Sequence, residues 1–510
     1  MNPLLATGIY ICGIGALFYL NRDKTVRTSK ALWLPVVYLW ILGSRPISTW
    51  MGITPLSDVN SQLDGSPVDA TILGLLLIAA IVVLLQRGKR IQWFLAANWP
   101  ILLYFSYCLV SIAWSSHPDA SFKRWIKAIE DLAMCLVIVT DPQPVEAIKR
   151  IISRVGFILL PASLLLIKYY GNLGRGYTPD GEPMNTGVTT NKNMFGVMLF
   201  VVSLFTLWHF ITLLNARKQP DRRRRLLAQG TLLAFGAVLL EMADSKTSIA
   251  CFALGGGLII VSGLRAIKSR PSRLYGLSLA VLLLGGFTIL FGGESLVVQS
   301  MGRQSNLSGR TAIWAALIPA AHNPILGAGF ESFWIGPGAE EFHHTLALQG
   351  WWQPQGLNEA HNGYLEVYLN LGVLGLCLIA LIFMSGYRHA VAAFRRNPSI
   401  GGLLTAYIIV SVFYNITEAG LRMMGVPWIF LILAMLTASG VASGVFGEDA
   451  VRFLTARRAS AIGSALKGGV EPGAEIAHAV EIGLINSRVD QKKESSHFRN
   501  FQTWRGEVGN

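Results

Sequence analysis

The chain has 510 residues, 52% apolar and only 14% charged, with a formal net charge of +14. A soluble domain carries about 25% charged residues. Together with a mean hydropathy of +0.47, this excludes a disordered chain, a disulfide-stapled secreted module and an ordinary cytosolic enzyme, and leaves a polytopic membrane protein. Nucleic acid is not indicated as a partner, because Lys and Arg cluster in short stretches between long apolar runs, as membrane topology requires. The five cysteines, Cys12, Cys108, Cys135, Cys251 and Cys377, each lie inside an apolar run. They form no CxxC pair or Cys/His cluster, so they read as small buried hydrophobes.

In chain order, residues 3–20 are apolar and are followed, not preceded, by Arg22, Lys24, Arg27 and Lys30. That is the reverse of a cleavable signal and predicts a first span with its N-terminus outside. A hydrocarbon core of about 30 Å needs roughly 20 apolar residues per helix. The pattern predicts thirteen spans, near 3–20, 30–43, 68–86, 92–113, 125–140, 151–168, 193–214, 226–241, 247–264, 274–292, 364–386, 401–417 and 424–445. The second is short and the fifth carries Glu130 and Asp131, so 12–13 transmembrane helices are expected. Helices are required because open strands cannot satisfy their backbone in lipid. The expected fold is an all-α polytopic integral membrane protein over 1–445.

Loops 21–30, 86–91, 141–154, 215–225, 264–273 and 387–400, with the tail, hold 32 of the 43 Lys and Arg residues. The positive-inside rule makes that side cytoplasmic, with Asp221-Arg222-Arg223-Arg224-Arg225 its strongest marker. The opposite, outer side carries loops 44–67, 114–124 and 169–192, and one long segment, 293–363, with a short amphipathic helix expected near 310–322. Long structured connections carry function. The polar tail, 446–510, reads as a poorly ordered cytoplasmic extension.

The outer cations stand out against the positive-inside rule: Arg45, Lys123, Arg124, Lys127, Lys168, Arg175, Lys192, Lys246, Arg303, Arg310 and Arg422. Some suit interfacial snorkelling, Arg45, Lys127, Lys168 and Arg422 among them. A cluster of the others would hold an anion, phosphate first. Three contexts contain them. These are Gly187 to Gly196 with Lys192-Asn193, Asp244-Ser245-Lys246-Thr247-Ser248, and Ser308-Gly309-Arg310 through Trp314 followed later by Glu359-Ala360-His361-Asn362. A lone histidine at a span entrance also suits an interface residue. No set of His, Cys and carboxylates shows metal-ligand spacing, and Asp58, Asp64 and Asp69 are scattered, so no metal and no cofactor is expected.

His361-Asn362, then nine residues, Gly372, two residues and Gly375 resemble the signature of the O-antigen ligase and O-antigen polymerase superfamily. Upstream, Trp114-Ser115 with Pro118, Ser121 and Arg124 is similar to the family's early outer loop. Gly187 to Gly196, Ser308-Gly309-Arg310 to Trp314, Asn323-Pro324 and Gly327-Ala328-Gly329 are similar to its middle. Lys192-Asn193 together with Glu359 to Glu366 resembles the exopolysaccharide polymerase branch. The likeness covers about 100–380, with the catalytic region at 190–380.

The resemblance implies a helical membrane glycosyltransferase of GT-C-like architecture, inverting and metal-independent, in the bacterial inner membrane. It implies transfer of a glycan from an undecaprenyl-diphosphate carrier to a sugar hydroxyl, on a glycan or lipid-linked acceptor, at the periplasmic face. Membrane lipids, and other polysaccharide export proteins, are the further partners expected. On this chemistry Arg310 grips the diphosphate first, and Lys246 stands where many members place Arg, exchanging a fork for a point charge. Arg124 and Lys192 are further contacts. His361, with an ordinary pKa near 6.5 and mostly neutral at pH 7, is the expected base. Asn362 would fix its ring, with Glu359 second in that role and Asn193 supporting.

Two readings from other classes stay open. A flippase or transporter of lipid-linked saccharides would expose polar residues along several spans, whereas 68–86, 274–292 and 424–445 are almost uninterruptedly apolar. A non-catalytic assembly subunit would leave His361 dispensable. Polymerase, ligase and protein glycosylation are not separated by the sequence, nor are the sugars.

Overall fold

The computed structural model describes residues 2–23, 26–53, 66–177, 181–216, 221–290, 310–350 and 357–446. Residues 293–309, with Ser308-Gly309, and the tail from 447 lie outside the described residues. Helices of eight residues or more are α1 Pro3–Leu20, α2 Trp33–Leu42, α3 Pro67–Leu85, α4 Gly88–Ala97, α5 Trp99–Val110, α6 Pro118–Val139, α7 Pro144–Tyr169 and α8 Lys192–Asn215. They continue as α9 Arg222–Ala243, α10 Lys246–Ser262, α11 Ser272–Leu290, α12 Arg310–Leu317, α13 Pro337–Leu348, α14 Gly363–Arg396, α15 Pro398–Thr417 and α16 Val426–Ser443. One small antiparallel hairpin pairs β1, Arg175–Tyr177, with β2, Pro183–Asn185. Helix starts are written locally. Asn2, Ser66, Asn191, Asn362 and Asn397 each accept a hydrogen bond from a first-turn amide, and Pro follows three of these caps.

All thirteen predicted spans fall on helix. Among the described residues eight helices are long and apolar enough to cross a membrane, so the protein is a multi-pass membrane protein. Three shorter apolar helices, Lys30–Leu42, Lys246–Ser262 and Ser272–Gly285, account for three more spans. The two remaining predictions need correction. Residues 92–113 are not one helix: α4 and α5 meet at an 87° bend. Pro100 in the first turn of α5 has no amide to continue α4, and Asn98 fills the break by donating to the Phe94 carbonyl and Ser439 Oγ, both at 2.8 Å. The 125–140 segment is the C-terminal part of α6. Residues 123–131 of this helix carry Lys123, Arg124, Lys127, Glu130 and Asp131, so it is not an apolar span, whereas Leu132–Val139 are all buried. The amphipathic helix expected near 310–322 is α12, ending at Leu317.

Burial grades the helices from centre to edge. α16 has 89% of its apolar window buried and α15 78%, whereas α1 has 11% and α3 22%. The exposed leucines and isoleucines of α1 and α3 suit a lipid environment, where no hydrophobic force drives them inward. α14 packs on α15 and α16, α10 on α8 and α15, and α6 on α16. The helix-rich segment after Arg310 has its own small core of Ile313, Leu317, Phe333, Trp334, Phe342 and Leu346 with Ala360 and Leu369.

α14 is broken at Gly372, where φ is +63° and ψ −164°. Loop 324–329 laces into the break. Ala328 and Gly329 amides donate to the Leu369 and Asn370 carbonyls, and the Val373 amide donates to the Pro324 carbonyl, all at 2.9 Å. A Cβ at Gly372 would stand 2.2 Å from the Ile325 carbonyl oxygen, and one at Gly327 2.3 Å from the Leu371 nitrogen. Gly327 of one sequence motif and Gly372 of the other are thus one device, in which backbone meets backbone. Gly372→Ala combines a left-handed φ, worth about 1–3 kcal/mol, with that clash. It should lower the melting temperature of the purified protein sharply, more than Gly257→Ala, whose added Cβ meets nothing within 4 Å. Equal melting temperatures would remove this account of the motif.

Candidate functional site

Four helix N-termini face one end of the bundle, those of α8 at Lys192, α10 at Lys246, α12 at Arg310 and α14 at Gly363. Gly196 lets the first turns of α8 and α10 touch, since a Cβ there would lie 2.6 Å from Ser245 Cβ. Thr247 and Thr417 hydroxyls, 3.3 Å apart, bring the end of α15 beside them. Helix N-termini carry partial positive charge and unpaired amides.

His361 precedes α14 in a left-handed conformation, φ +46°, which its surroundings impose. The preceding residue, Ala360, is held at both backbone groups: Trp314 Nε1 donates to its carbonyl at 2.7 Å, and its amide donates to Glu366 Oε1 at 2.5 Å. Trp334 Nε1 fixes the other Glu366 oxygen at 2.9 Å. The Gly363 amide donates to the Glu418 carbonyl at 3.0 Å. Asn362 Oδ1 accepts from the Tyr364 and Leu365 amides, both at 3.0 Å.

Charged groups from four segments, and the Asn193 amide from a fifth, converge on this turn. Arg310 Nη2 lies 2.7 Å from Glu418 Oε1. His361 Nδ1 lies 2.6 Å from Glu359 Oε1 and 3.7 Å from Glu418 Oε2. Arg422 stands 3.7 Å from both Glu331 and Glu359. Asn193 Nδ2 donates to Glu418 Oε2 at 3.4 Å. Glu418, only 6% exposed at its side chain, is the hub. Arg310 and His361, expected to act together from separate motifs, are therefore placed on one carboxylate.

Several expectations change. Asn362 does not orient the histidine ring, because its side-chain oxygen is committed to capping α14. Glu359 takes that position. His361 is not an ordinary imidazole. Partial burial disfavours its charge, but the facing Glu359 and Glu418 carboxylates outweigh this and raise its pKa to about 9, so the ring is charged at pH 7. Burial likewise raises Glu359, but His361, Arg422 and Arg310 prevail and hold it at about 2. Arg422 is raised: burial opposes its charge, and Glu366, Glu331 and Glu359 overcome it. It is a member of the cluster rather than a snorkelling side chain. Arg45 is not snorkelling either. It is 3% exposed, and its Nε donates to the Thr189 carbonyl at 3.0 Å.

Arg124 is 2% exposed, and its Nη1 donates to the Glu331 carbonyl, which places it behind the cluster. Lys246 pairs with Asp244 at 3.0 Å, both about half exposed, at the rim beside Thr417. Lys192 opens α8 next to Asn193, partly exposed. The expectation that no metal-ligand set exists is also corrected at the level of geometry. Glu359, His361 and Glu418 offer ligand atoms within 4.8 Å of one another, a grouping invisible in sequence because 57 residues separate His361 from Glu418. In this arrangement the carboxylates face a charged ring, and a cation would have to displace a proton.

The sequence reading missed Glu418 and Glu331. The positive-inside rule marks an outward cation, and no comparable rule marks an acid at a span end. A buried cation cluster needs counter-charges, and that was the signal available.

Residues 230–380 match the family model described as O-antigen ligase. This range holds Lys246, Arg310, Glu331, Glu359 and His361, and stops short of Glu418 and Arg422. The chain is 25% identical over 318 residues to the exopolysaccharide production protein ExoQ of Rhizobium meliloti, covering 60% of this chain and 68% of that protein. It is 24% identical over 360 residues to a candidate polysaccharide ligase of Rickettsia felis, covering 68% of this chain and 83% of that protein. The stretch that matches the O-antigen ligase model, residues 230–380, is carried within a larger polytopic helical membrane protein.

Proposed function

We propose that this protein is a glycosyltransferase that moves a glycan from an undecaprenyl-diphosphate carrier to a sugar hydroxyl at the periplasmic face of the bacterial inner membrane. Exopolysaccharide or O-antigen polymerisation or ligation is the process it would serve. The observation that carries the reading is the convergence of Arg310, His361, Glu359 and Glu418 at one end of a membrane bundle, in a chain whose residues 230–380 match the O-antigen ligase model. A lipid diphosphate is an activated leaving group, so the protein's task is to hold it and stabilise developing charge. Arg310 supplies a planar fork for that purpose, Lys246 and Lys192 add charge at the rim, and four helix N-termini add their dipoles.

His361 is the base in this reading, oriented through Nδ1 by Glu359 so that Nε2 is left for the acceptor hydroxyl. The pattern follows the logic of a carboxylate holding an imidazole. Because the ring starts charged, it must first release a proton, and the reaction gains with pH up to the ring's pKa. The carboxylates also keep Arg310 fixed before donor arrives, a preorganisation that avoids reordering a flexible side chain during reaction. The basic loops and tail, on this reading, face the cytoplasm.

The test is glycan transfer in proteoliposomes holding purified protein and an undecaprenyl-diphosphate-linked donor. Turnover is expected with this donor, and it should survive EDTA, since the cations make a Lewis acid unnecessary. Complete loss on chelation, restored by a divalent ion, would instead assign Glu359, His361 and Glu418 as metal ligands. Absence of transfer, with lipid-linked glycan crossing the bilayer, would favour the transporter reading.

A further inference from the structure

Three buried charged residues of α6, Arg124, Glu130 and Asp131, take no part in the proposed transfer chemistry. Arg124 and Asp131 are seven residues apart, so they lie two turns apart on one face of the helix. Both are buried, at 2% and 0% exposure. A buried charge is costly unless its partners compensate, and here the partners are specific. Arg124 Nη1 donates to the backbone carbonyl of Glu331. Asp131 Oδ2 accepts from the backbone amide of Met424 at 2.8 Å, and Oδ1 accepts from Tyr38 Oη at 2.7 Å.

Both backbone partners are left-handed non-glycine residues. Glu331 has φ +50° and Met424 φ +56°, and among the described residues only Asp221, Asp244 and His361 share that property. Such conformations cost about 1–3 kcal/mol and persist only where the surroundings impose them. Each strained residue sits in a loop that feeds the cluster. The first loop supplies Glu331 itself, and the second, between α15 and α16, supplies Glu418 and Arg422. Neighbouring contacts, such as Phe330 N to Ser111 Oγ and Phe333 N to Asn370 Oδ1 in the first loop and Gly425 N to the Arg422 carbonyl in the second, hold the residues on either side, while α6 holds the strained residues themselves.

We propose that Arg124 and Asp131 are positioning residues: α6 is a post whose two buried charges hold the strained loops that place Glu331, Glu418 and Arg422 around Arg310 and His361. The assignment changes the meaning of Arg124, which serves the site through the Glu331 backbone and not by touching the diphosphate. It also extends the working parts of the protein beyond the matched domain on both sides, to α6 and to the α15–α16 loop. The proposal rests on the glycosyl-transfer reading of the cluster.

The experiment uses the full chain in proteoliposomes with the undecaprenyl-diphosphate-linked donor, and a nitroxide at Met423→Cys to report loop order. Asp131→Ala should lower kcat at least about tenfold, the loss expected for one charge-assisted hydrogen bond, with the KM for donor little changed and the nitroxide mobilised. Asp131→Asn should recover most of kcat and loop order. Its amide oxygen still accepts from Met424, and the Tyr38 hydroxyl turns to accept from its NH₂. Tyr38→Phe, which removes the other partner of the same carboxylate, should stay within about threefold of wild type, as expected for one neutral hydrogen bond that does not touch the loop.

Unchanged kcat and an ordered loop in folded Asp131→Ala would overturn the proposal, as would equal losses in all three variants. If Asp131→Ala does not fold, Asp131→Ser, whose shorter arm withdraws the acceptor, is read in its place. Failure of both to fold, with Asp131→Asn normal, would make Asp131 a packing residue and overturn the proposal too. Wild-type turnover in both Arg310→Ala and His361→Ala would remove the underlying functional reading, while the nitroxide would still report whether Asp131 anchors the loop.

Discussion

Replacing His361 by alanine should lower glycan transfer by about 10²–10⁴-fold, the usual contribution of a positioned general base, with little change in donor binding. His343→Ala is the matched control, because His343 hydrogen-bonds the Leu357 carbonyl at 2.8 Å and takes no part in the cluster. The pH dependence sharpens the test. With the His361 pKa raised to about 9, wild-type kcat/KM should climb between pH 7 and about 9 as the ring sheds its proton. Glu359→Gln removes one of the two carboxylates responsible, so the climb should move to lower pH. A profile that is flat or falls from 7 to 9 would mean that the imidazolium serves as a third cation on the diphosphate. Stability follows the same linkage. The raised His361 pKa contributes stability fully present below its ordinary value of 6.5 and lost as pH rises through about 9. The depressed Glu359 pKa contributes above its ordinary 4.5 and is lost as pH falls through about 2. The pair's contribution to stability is therefore full from about pH 4.5 to 6.5 and declines on either side, towards about 2 and about 9.

Arg310→Ala should reduce donor use by about 10- to 100-fold, the loss of about 1.5–3 kcal/mol of charged hydrogen bonding. Part of that loss has a second origin. Glu418, 2.7 Å from Arg310 and nearly buried, would then stand with one cation fewer beside an incoming anion. The double variant Arg310→Ala, Glu418→Gln should accordingly be more active than Arg310→Ala alone, a coupling between neighbours that share a partner. Glu418→Gln by itself should lower the donor KM, because the diphosphate no longer competes with that carboxylate for Arg310. Additive losses in the double variant would mean that Glu418 does not hold Arg310 for the donor.

Legibility differed by residue. His361 and Arg310 stood out because a motif and an outward cation are local facts, visible in a few consecutive letters. The role of Asn362 was misassigned for a local reason as well: Asn followed by Gly-Tyr-Leu is a helix cap as much as a histidine partner, and choosing between them needs the distance to the ring. Glu359 was placed second to Asn362 although it stands 2.6 Å from Nδ1, because the left-handed turn at His361 folds residue 359 back over the ring. Arg422 read as a snorkelling cation, since its counter-charges Glu331 and Glu359 are 91 and 63 residues away.

The sequence by itself determined the membrane class, the helices and most of their ends, because apolar runs of bilayer length and Asn, Ser and Pro caps act over a few residues. It also contains the His-Asn and Gly-x-x-Gly pattern, and the charged cluster forms at the histidine of that pattern. Only the tertiary structure decided the electrostatics of that region. The charge state of His361, the pairing of Arg310, and the backbone contacts of Arg124 and Asp131 all depend on Glu418, Glu331 and Met424 arriving from distant loops. Coulomb energies fall with distance and rise with burial, and neither quantity is written in the order of the residues.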